Sequence, residues 1–181
     1  MAEVTIKGVN IQCVQGDITD QKGIEAVVNA ANAQLLTGGG VAGAIHKAAG
    51  PDLEQESSKL APLKPGQAVI TDAYQLPNQY VIHCLGPVYG KDEPADELLA
   101  DCYRNALKLA DKKGISSIAF PSISTGAFGY PIEPAAKVAI ETVVSSLNEL
   151  STVKSIVFVL FSESDQDVYE KALQQAHSDQ S

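Results

Sequence analysis

The chain has 181 residues, 45% hydrophobic and 19% charged, a balance that suits one ordinary soluble domain and excludes the low-hydrophobicity, high-charge composition of disorder. Its 22 acidic and 13 basic residues leave a formal charge of -9, which argues against a surface that grips nucleic acid by neutralising phosphates. Any phosphate recognition must therefore be local, through backbone N–H groups and helix termini.

No apolar run approaches the roughly 20 residues of a membrane span, and residues 1–10 have neither a basic region nor an apolar run of the kind that directs secretion. These features give an expectation of a cytoplasmic protein with no membrane partner. Cys13, Cys84 and Cys102 are odd in number and widely spaced, which fits neither a disulfide framework nor a zinc knuckle, so no structural metal is expected. The apolar surroundings of Cys13 and Cys84 suit buried small hydrophobes.

In chain order, residues 3–7 and 11–15 alternate apolar with polar and read as strands, the first weakly because it is short and terminal. Residues 25–29 (EAVVN) suit a buried parallel strand that delivers Asn29 to its end. Three glycines at 38–40 precede an alanine-rich helix, Val41 to Ala49, ended by Gly50-Pro51. Residues 52–60 read as a short helix or irregular cover. Two strands follow, 67–71 and 80–85, then a helix from about Pro94 to Lys113 with Gly114 beyond its end. Residues 116–120 form a strand, 122–130 a glycine-rich loop, and 133–150 an amphipathic helix with Pro134 in its first turn. The apolar run 155–161 reads as a central strand. A helix over 165–175 closes a single domain of residues 1–175, leaving 176–181 as a polar tail expected to fray. Helices between apolar strands predict a three-layer α/β/α sandwich, in which ligands gather beyond the carboxyl ends of the strands.

Two loops stand at such ends. Thr37-Gly-Gly-Gly-Val-Ala-Gly43 opens a helix, and consecutive glycines let amides point at an anion, although an isolated triple glycine is equally a flexible turn. Its spacing is not GxGxxG, and it lacks the Lys-Ser/Thr of a nucleotide-triphosphate loop. Ser122-Ile-Ser-Thr-Gly-Ala-Phe-Gly-Tyr130 repeats the design, with hydroxyls on Ser124 and Thr125 and aromatic rings at Phe128 and Tyr130. No Asp, Glu, Lys or Arg occurs in residues 26–46 or 117–132. Two uncharged loops of this kind suit a diphosphate held between them, against the alternative of ordinary structural turns.

Asp17 either caps the following turn or accepts an exocyclic amine such as that of adenine. Asn29 and Asn32 either meet ribose hydroxyls or tie the loop to its own backbone. His46 is more in keeping with a packed or capping residue than a general base, and His83 and Cys84, adjacent on a strand, should face opposite sides and form no dyad. No serine lies in GxSxG.

The blocks Gly16-Asp-Ile-Thr19, Val28-Asn-Ala-Ala-Asn32, Gly38-Gly-Gly-Val41, Ala44-Ile-His-Lys-Ala-Ala-Gly50, Val81-Ile-His-Cys-Leu-Gly-Pro87 and Pro121-Ser-Ile-Ser-Thr-Gly-Ala-Phe-Gly-Tyr-Pro131 closely resemble the macrodomain family, most of all its MacroD-type branch. That branch binds ADP-ribose and often removes mono-ADP-ribose from carboxylates or deacetylates O-acetyl-ADP-ribose. The resemblance implies a six-stranded mixed sheet, free ADP-ribose or an ADP-ribosylated protein as partner, no cofactor and a monomer. It also implies that Asp17 accepts the adenine amine with Ile18 beside it, and that Asn29 and Asn32 address the distal ribose, where they are also the candidate catalytic residues. Gly38, Gly39, Gly40 and Val41 line one side of the diphosphate. Ser124, Thr125, Gly126, Ala127 and Phe128 line the other. One position departs from the pattern: Ala42 stands where active members commonly carry an aspartate. Two readings stay open, a hydrolase using a water positioned by the substrate's phosphate and a non-catalytic ADP-ribose reader.

Overall fold

Seven short apolar segments form the strands β1 (Ala2–Ile6), β2 (Val9–Gln15), β3 (Ala26–Ala30), β4 (Ala68–Asp72), β5 (Tyr80–Cys84), β6 (Ser117–Phe120) and β7 (Ser155–Leu160). The structure, a computed structural model, describes residues 2–180. The strands make one continuous sheet in the order β1-β2-β7-β6-β3-β5-β4. The pairs β2–β7, β7–β6, β6–β3 and β3–β5 are parallel, while β1 on β2 and β4 on β5 are antiparallel. The five central strands therefore point the same way, and both edges run against them.

The helices are α1 (Gly40–Ala49), α2 (Pro51–Ser57), α3 (Ala95–Lys112), α4 (Ile132–Ser146) and α5 (Glu163–Asp179). Strand alternation sorts side chains between two faces. Ile11, Cys13, Val28, Ile82, Phe120, Ile156 and Phe158 meet α3, α4 and α5 in the larger core, where the rings of Tyr103, Phe120, Phe158 and Tyr169 pack together. Val27, Val81, Ala119, Val157 and Val159 face the opposite way and meet Ile45, Ala49 and Leu53 of α1 and α2. This is the three-layer α/β/α sandwich expected from the sequence.

The sheet has seven strands, which corrects the six implied by the resemblance. The antiparallel edge β1 is one of the seven, its Ile6 buried in the same core as Val9 and Ile11 of β2. Its alternation at 3–7 is visible in the sequence. The last helix also starts earlier and ends later than the 165–175 pattern indicates. Ser162 caps it by accepting the Asp165 N–H at 3.1 Å, and it runs to Asp179, with Ala176 buried in the core. Residue 181 lies outside the described residues.

One carboxylate pins the entrance to β7. Asp111, near the end of α3, accepts the backbone N–H groups of Ser151, Thr152 and Val153 at 2.7 to 3.2 Å and the Thr152 hydroxyl at 3.0 Å. Partial desolvation pushes its pKa up, but the combined bonds from Thr152, Ser151 and Val153 outweigh that and hold it below its ordinary value of 3.8. A folded pKa below the unfolded one means that this stabilisation is full above the ordinary carboxylate range and is lost as the pH falls through the folded value. Asp111→Ala is expected to lower stability by about 1 to 2 kcal/mol at pH 7. Urea unfolding at pH 7 and pH 3 checks this: the difference between parent and variant should shrink at the lower pH.

Candidate functional site

Because the five central strands are parallel, the segments that leave their carboxyl ends collect along one rim of the sheet. Across that rim stand Gly16–Ile18 after β2, Phe161 after β7, the second loop after β6, Ala31 to Gly40 after β3 and Leu85–Pro87 after β5. The expected Asp17, Asn29 and both loops thus come together.

The first loop leads straight into α1, whose cap residue is Gly39 and whose first turn carries neither an acidic residue nor a side-chain cap. The amides of Gly38, Gly39, Gly40, Val41 and Ala42 donate to no acceptor among the described residues. Asn32 shapes this loop: its Nδ2 donates to Leu36 O at 2.7 Å and its Oδ1 accepts Leu36 N–H at 3.1 Å. Leu35, buried at a positive φ of 56°, completes the bend. Gly43 is fixed by sterics, since a Cβ there would overlap the carbonyl oxygen of Gly38, so the loop backbone lies directly on the first turn of the helix.

The second loop is closed by Tyr130 N–H on Ser124 O at 2.9 Å and Gly129 N–H on Gly126 O at 3.0 Å. The amides of Ser124, Thr125, Gly126, Ala127 and Phe128 find no acceptor among the described residues. The Thr125 hydroxyl turns inward, to Ser122 Oγ at 2.9 Å and Ser122 O at 3.2 Å, and Ser122 Oγ in turn meets Tyr169 OH at 2.8 Å. Thr125 therefore leaves its amide unpaired while its hydroxyl braces the loop. Ser124 takes a φ of 69°, and its buried Oγ has no partner. It fits only because residue 86 is glycine, where a Cβ would strike that Oγ. Phe128 packs with Ala31, Leu35, Leu63 and Leu85, which joins the roots of the two loops in one small apolar cluster. Tyr130 is buried with its ring 4.8 Å from that of Tyr89, whose N–H donates to Phe128 O at 2.8 Å.

At the β2 end, Asp17 Oδ1 accepts both the N–H and the hydroxyl of Thr19, at 2.9 and 2.7 Å. The hydroxyl and then the amide of Thr19 hold the carboxyl below its ordinary pKa, so it is ionised at neutral pH. Capping occupies one oxygen, and Oδ2 has no partner among the described residues. Ile18 is buried on Val157 and Val159 and fixes the turn to the sheet. Phe161 stands beside this turn with its side chain almost bare, at 92% exposure. Sequence reading placed Phe161 inside the strand 155–161; only the end of β7 at Leu160, where Gly16 N–H bonds Leu160 O at 3.0 Å, puts it on the rim.

Asn29 is fully buried, and its Nδ2 lies 3.1 Å from His83 Nδ1. Burial, and after it the proximity of His46, lowers the His83 pKa to about 3; burial also lowers that of His46. Both rings are neutral at pH 7. His83 and Cys84 face opposite layers, and all three cysteines are free and buried.

A mixed sheet whose parallel centre ends in two uncharged loops of unpaired amides is an α/β module with a rim suited to an anionic ligand. Its affiliation is more specific: the chain belongs to the macro domain family, whose model matches residues 28–139, more than half of the chain. A macro domain-containing protein of Chlorobaculum tepidum is 50% identical over 164 residues, covering 90% of this chain and 95% of that protein. An O-acetyl-ADP-ribose deacetylase of Klebsiella pneumoniae is 45% identical over 167 residues, covering 90% and 95%. Among solved structures, the Oceanobacillus iheyensis macrodomain with ADP superposes with a TM-score of 0.94 at 41% identity, covering 98% of this chain and 97% of that one. The Trypanosoma brucei macrodomain in complex with ADP-ribose gives 0.84 at 40% identity, covering 90% and 68%.

The contact between Gly43 and Gly38 tests how the first loop is held. Gly43→Ala is expected to displace the loop and cost about 1 to 3 kcal/mol of stability. Chemical denaturation together with amide chemical shifts checks this: the largest shifts should fall at residues 37–42, and unchanged shifts there would show that the backbone contact does not set the loop.

Proposed function

We propose that the protein binds ADP-ribose along the rim, with adenine at Asp17 and Phe161, the diphosphate between the two loops, and the distal ribose near Asn29, Asn32 and Phe128. The observation that carries this reading is the pair of loops whose amides, Gly38 to Ala42 and Ser124 to Phe128, have no acceptor among the described residues. Unpaired amides at a helix start suit a diphosphate without requiring cationic side chains. From β2 to β3 the rim spans three strand spacings, about 14 Å, enough to lay an extended base, diphosphate and sugar across it. The likeness to macrodomain structures containing ADP and ADP-ribose supports the same ligand here.

The reaction that fits best is hydrolysis of O-acetyl-ADP-ribose or of a mono-ADP-ribosyl ester on a protein carboxylate. One water is consumed, and a carboxylic acid and ADP-ribose leave. The name O-acetyl-ADP-ribose deacetylase among the relatives supports it. The protein's part is positioning: the loops fix the diphosphate, and a phosphate oxygen holds the attacking water near the ester. Asn29 and Asn32 flank the ribose.

A second reading, a reader that binds without turnover, is favoured by Ala42. This residue is buried in the first turn of α1, and its methyl group has nothing with which to orient a water. In either case we place the protein in the cytoplasm as a monomer. Three free, buried cysteines suit a reducing compartment, and no helix among the described residues is long and apolar enough to cross a membrane.

Calorimetry with ADP-ribose is the primary test, and no saturable binding at millimolar ligand would defeat both readings. Within it, Asp17→Ala should weaken binding by about 1 to 3 kcal/mol through loss of a charged acceptor. Phe161→Ala should cost a similar amount, about 1 to 3 kcal/mol, through loss of stacking on the base. Phe161→Ala should leave the melting temperature nearly unchanged because the ring is exposed, whereas Asp17→Ala should lower it modestly by removing the acceptor of the Thr19 N–H and hydroxyl.

Turnover separates the two readings. Ala42→Asp is expected to raise the rate of O-acetyl-ADP-ribose hydrolysis at least tenfold with an ADP-ribose affinity no higher than the parent's. An inactive parent whose Ala42→Asp variant gains activity would be a reader by virtue of that one side chain.

A further inference from the structure

Asn29, the last residue but one of β3, is in register with His83 of β5, and both side chains lie on the face covered by α1. Alternation requires this, since Val27 and Val81, two residues earlier on each strand, belong to the cluster with Ile45 and Ala49. On the other side of the imidazole, His83 Nε2 lies 3.0 Å from Thr71 Oγ1 of the edge strand β4. The three side chains form a buried line running from the sheet edge to the rim.

The direction of the protons along this line can be deduced. The Thr71 hydroxyl donates to Asp72 O at 3.0 Å, so towards His83 it acts as an acceptor. His83 must then carry its hydrogen on Nε2 and leave Nδ1 as a lone pair. That lone pair accepts from Asn29 Nδ2 at 3.1 Å. With its amino group so engaged, Asn29 has its carbonyl as the free end, and Oδ1 is buried with no partner among the described residues. His46, 4% exposed on α1, covers the His83 ring at 6.3 Å between centroids and keeps solvent from the line.

We propose that Thr71 and His83 are positioning residues that fix the Asn29 amide with Oδ1 turned toward the first loop, where it accepts a hydroxyl of the distal ribose. An unpaired buried acceptor is costly, and a ligand hydroxyl satisfies it. Reversal of the line, with Thr71 donating to His83 and His83 Nδ1–H donating to Asn29 Oδ1, would offer the ligand an amino group instead. The relay thus decides whether this end of the cleft accepts or donates, and it selects for a sugar hydroxyl as donor. This inference rests on the ADP-ribose reading above and adds to it a selectivity for the distal sugar that originates at a remote strand.

Two measurements test it. Nitrogen-15 NMR of the unmodified protein labelled at histidine should show His83 as the neutral Nε2–H form. The Nδ1–H form, or an imidazolium at pH 7, would overturn the relay. Separately, the affinities for ADP-ribose and for ADP, which lacks the distal ribose, are compared in Thr71→Val and Thr71→Ser. Thr71→Val is isosteric, lies away from the cleft and removes the acceptor. It should weaken ADP-ribose about tenfold and leave ADP within twofold of the parent, and Thr71→Ser should restore both. Equal losses for the two ligands would reduce Thr71 to a structural role, and no loss for either would remove it from binding; each result overturns the proposal. Should Thr71→Val fail to fold, the tautomer of the unmodified protein still decides the relay. A parent that binds ADP but not ADP-ribose would refute the ribose contact, whereas one that binds neither would refute the ADP-ribose reading itself.

Discussion

The whole rim depends on one constraint: backbone N–H groups left without acceptors must face either water or an anion. In this protein they are held apart from other partners by sterics. The carbonyl of Gly38 lies on Gly43, and the hydroxyl of Ser124 lies on Gly86, contacts that a side chain at either glycine would prevent. These approaches hold the two loops open, with their amides turned away from the protein. The seven-stranded sheet supplies the floor, and the small cluster of Phe128, Leu35, Leu63 and Leu85 ties the loops to each other. An acidic protein of formal charge -9 can recognise phosphate on such a rim, because the positive potential there comes from aligned peptide dipoles and is local.

Much of this was legible in the sequence. Strand positions followed from short Val/Ile-rich runs, and Asn29 fell at a strand end because EAVVN stops there. The glycines at 38 to 40 and 43 marked the first loop, although only the structure explains why position 43 is among them. Other features had no local signal. Gly86 and Ser124 are 38 positions apart, so neither residue announces the other. The hydroxyl of Thr125 looked available to a ligand, but it is committed to Ser122 beneath the loop. Asn32 was open to two roles, and its amide is engaged at both ends by Leu36. Phe161 was hidden by its own hydrophobicity, since a phenylalanine ending an apolar run reads as core. It is the register of β7 against β2 that leaves it outside.

The polar groups beneath α1 divide the rim into regions with different chemistry. At the Asp17 end an ionised carboxylate and an exposed aromatic ring suit a base that carries an amino group. At the Asn29 end the groups are neutral, because burial keeps His83 and His46 deprotonated at physiological pH. His83, its pKa lowered to about 3, then keeps one charge state between pH 5 and 8. A ligand at that end would meet oriented hydrogen-bonding groups, and the proposed relay, by fixing one amide, would have more influence on it than a titrating side chain.

That neutrality also bears on the chemistry at position 42. A carboxylate in the first turn of α1 would gain from the helix dipole, yet it would also stand among the unpaired amides of the first loop and would repel an anion held there. Alanine removes the repulsion together with the base. The first loop therefore poses a trade between attraction for an anion and activation of a water, and Ala42 puts this chain on the side of attraction. On the ADP-ribose reading proposed above, turnover would have to draw on the substrate itself, whose phosphate, held by the loops, would be the group able both to accept a hydrogen bond from water and to lie near the ester.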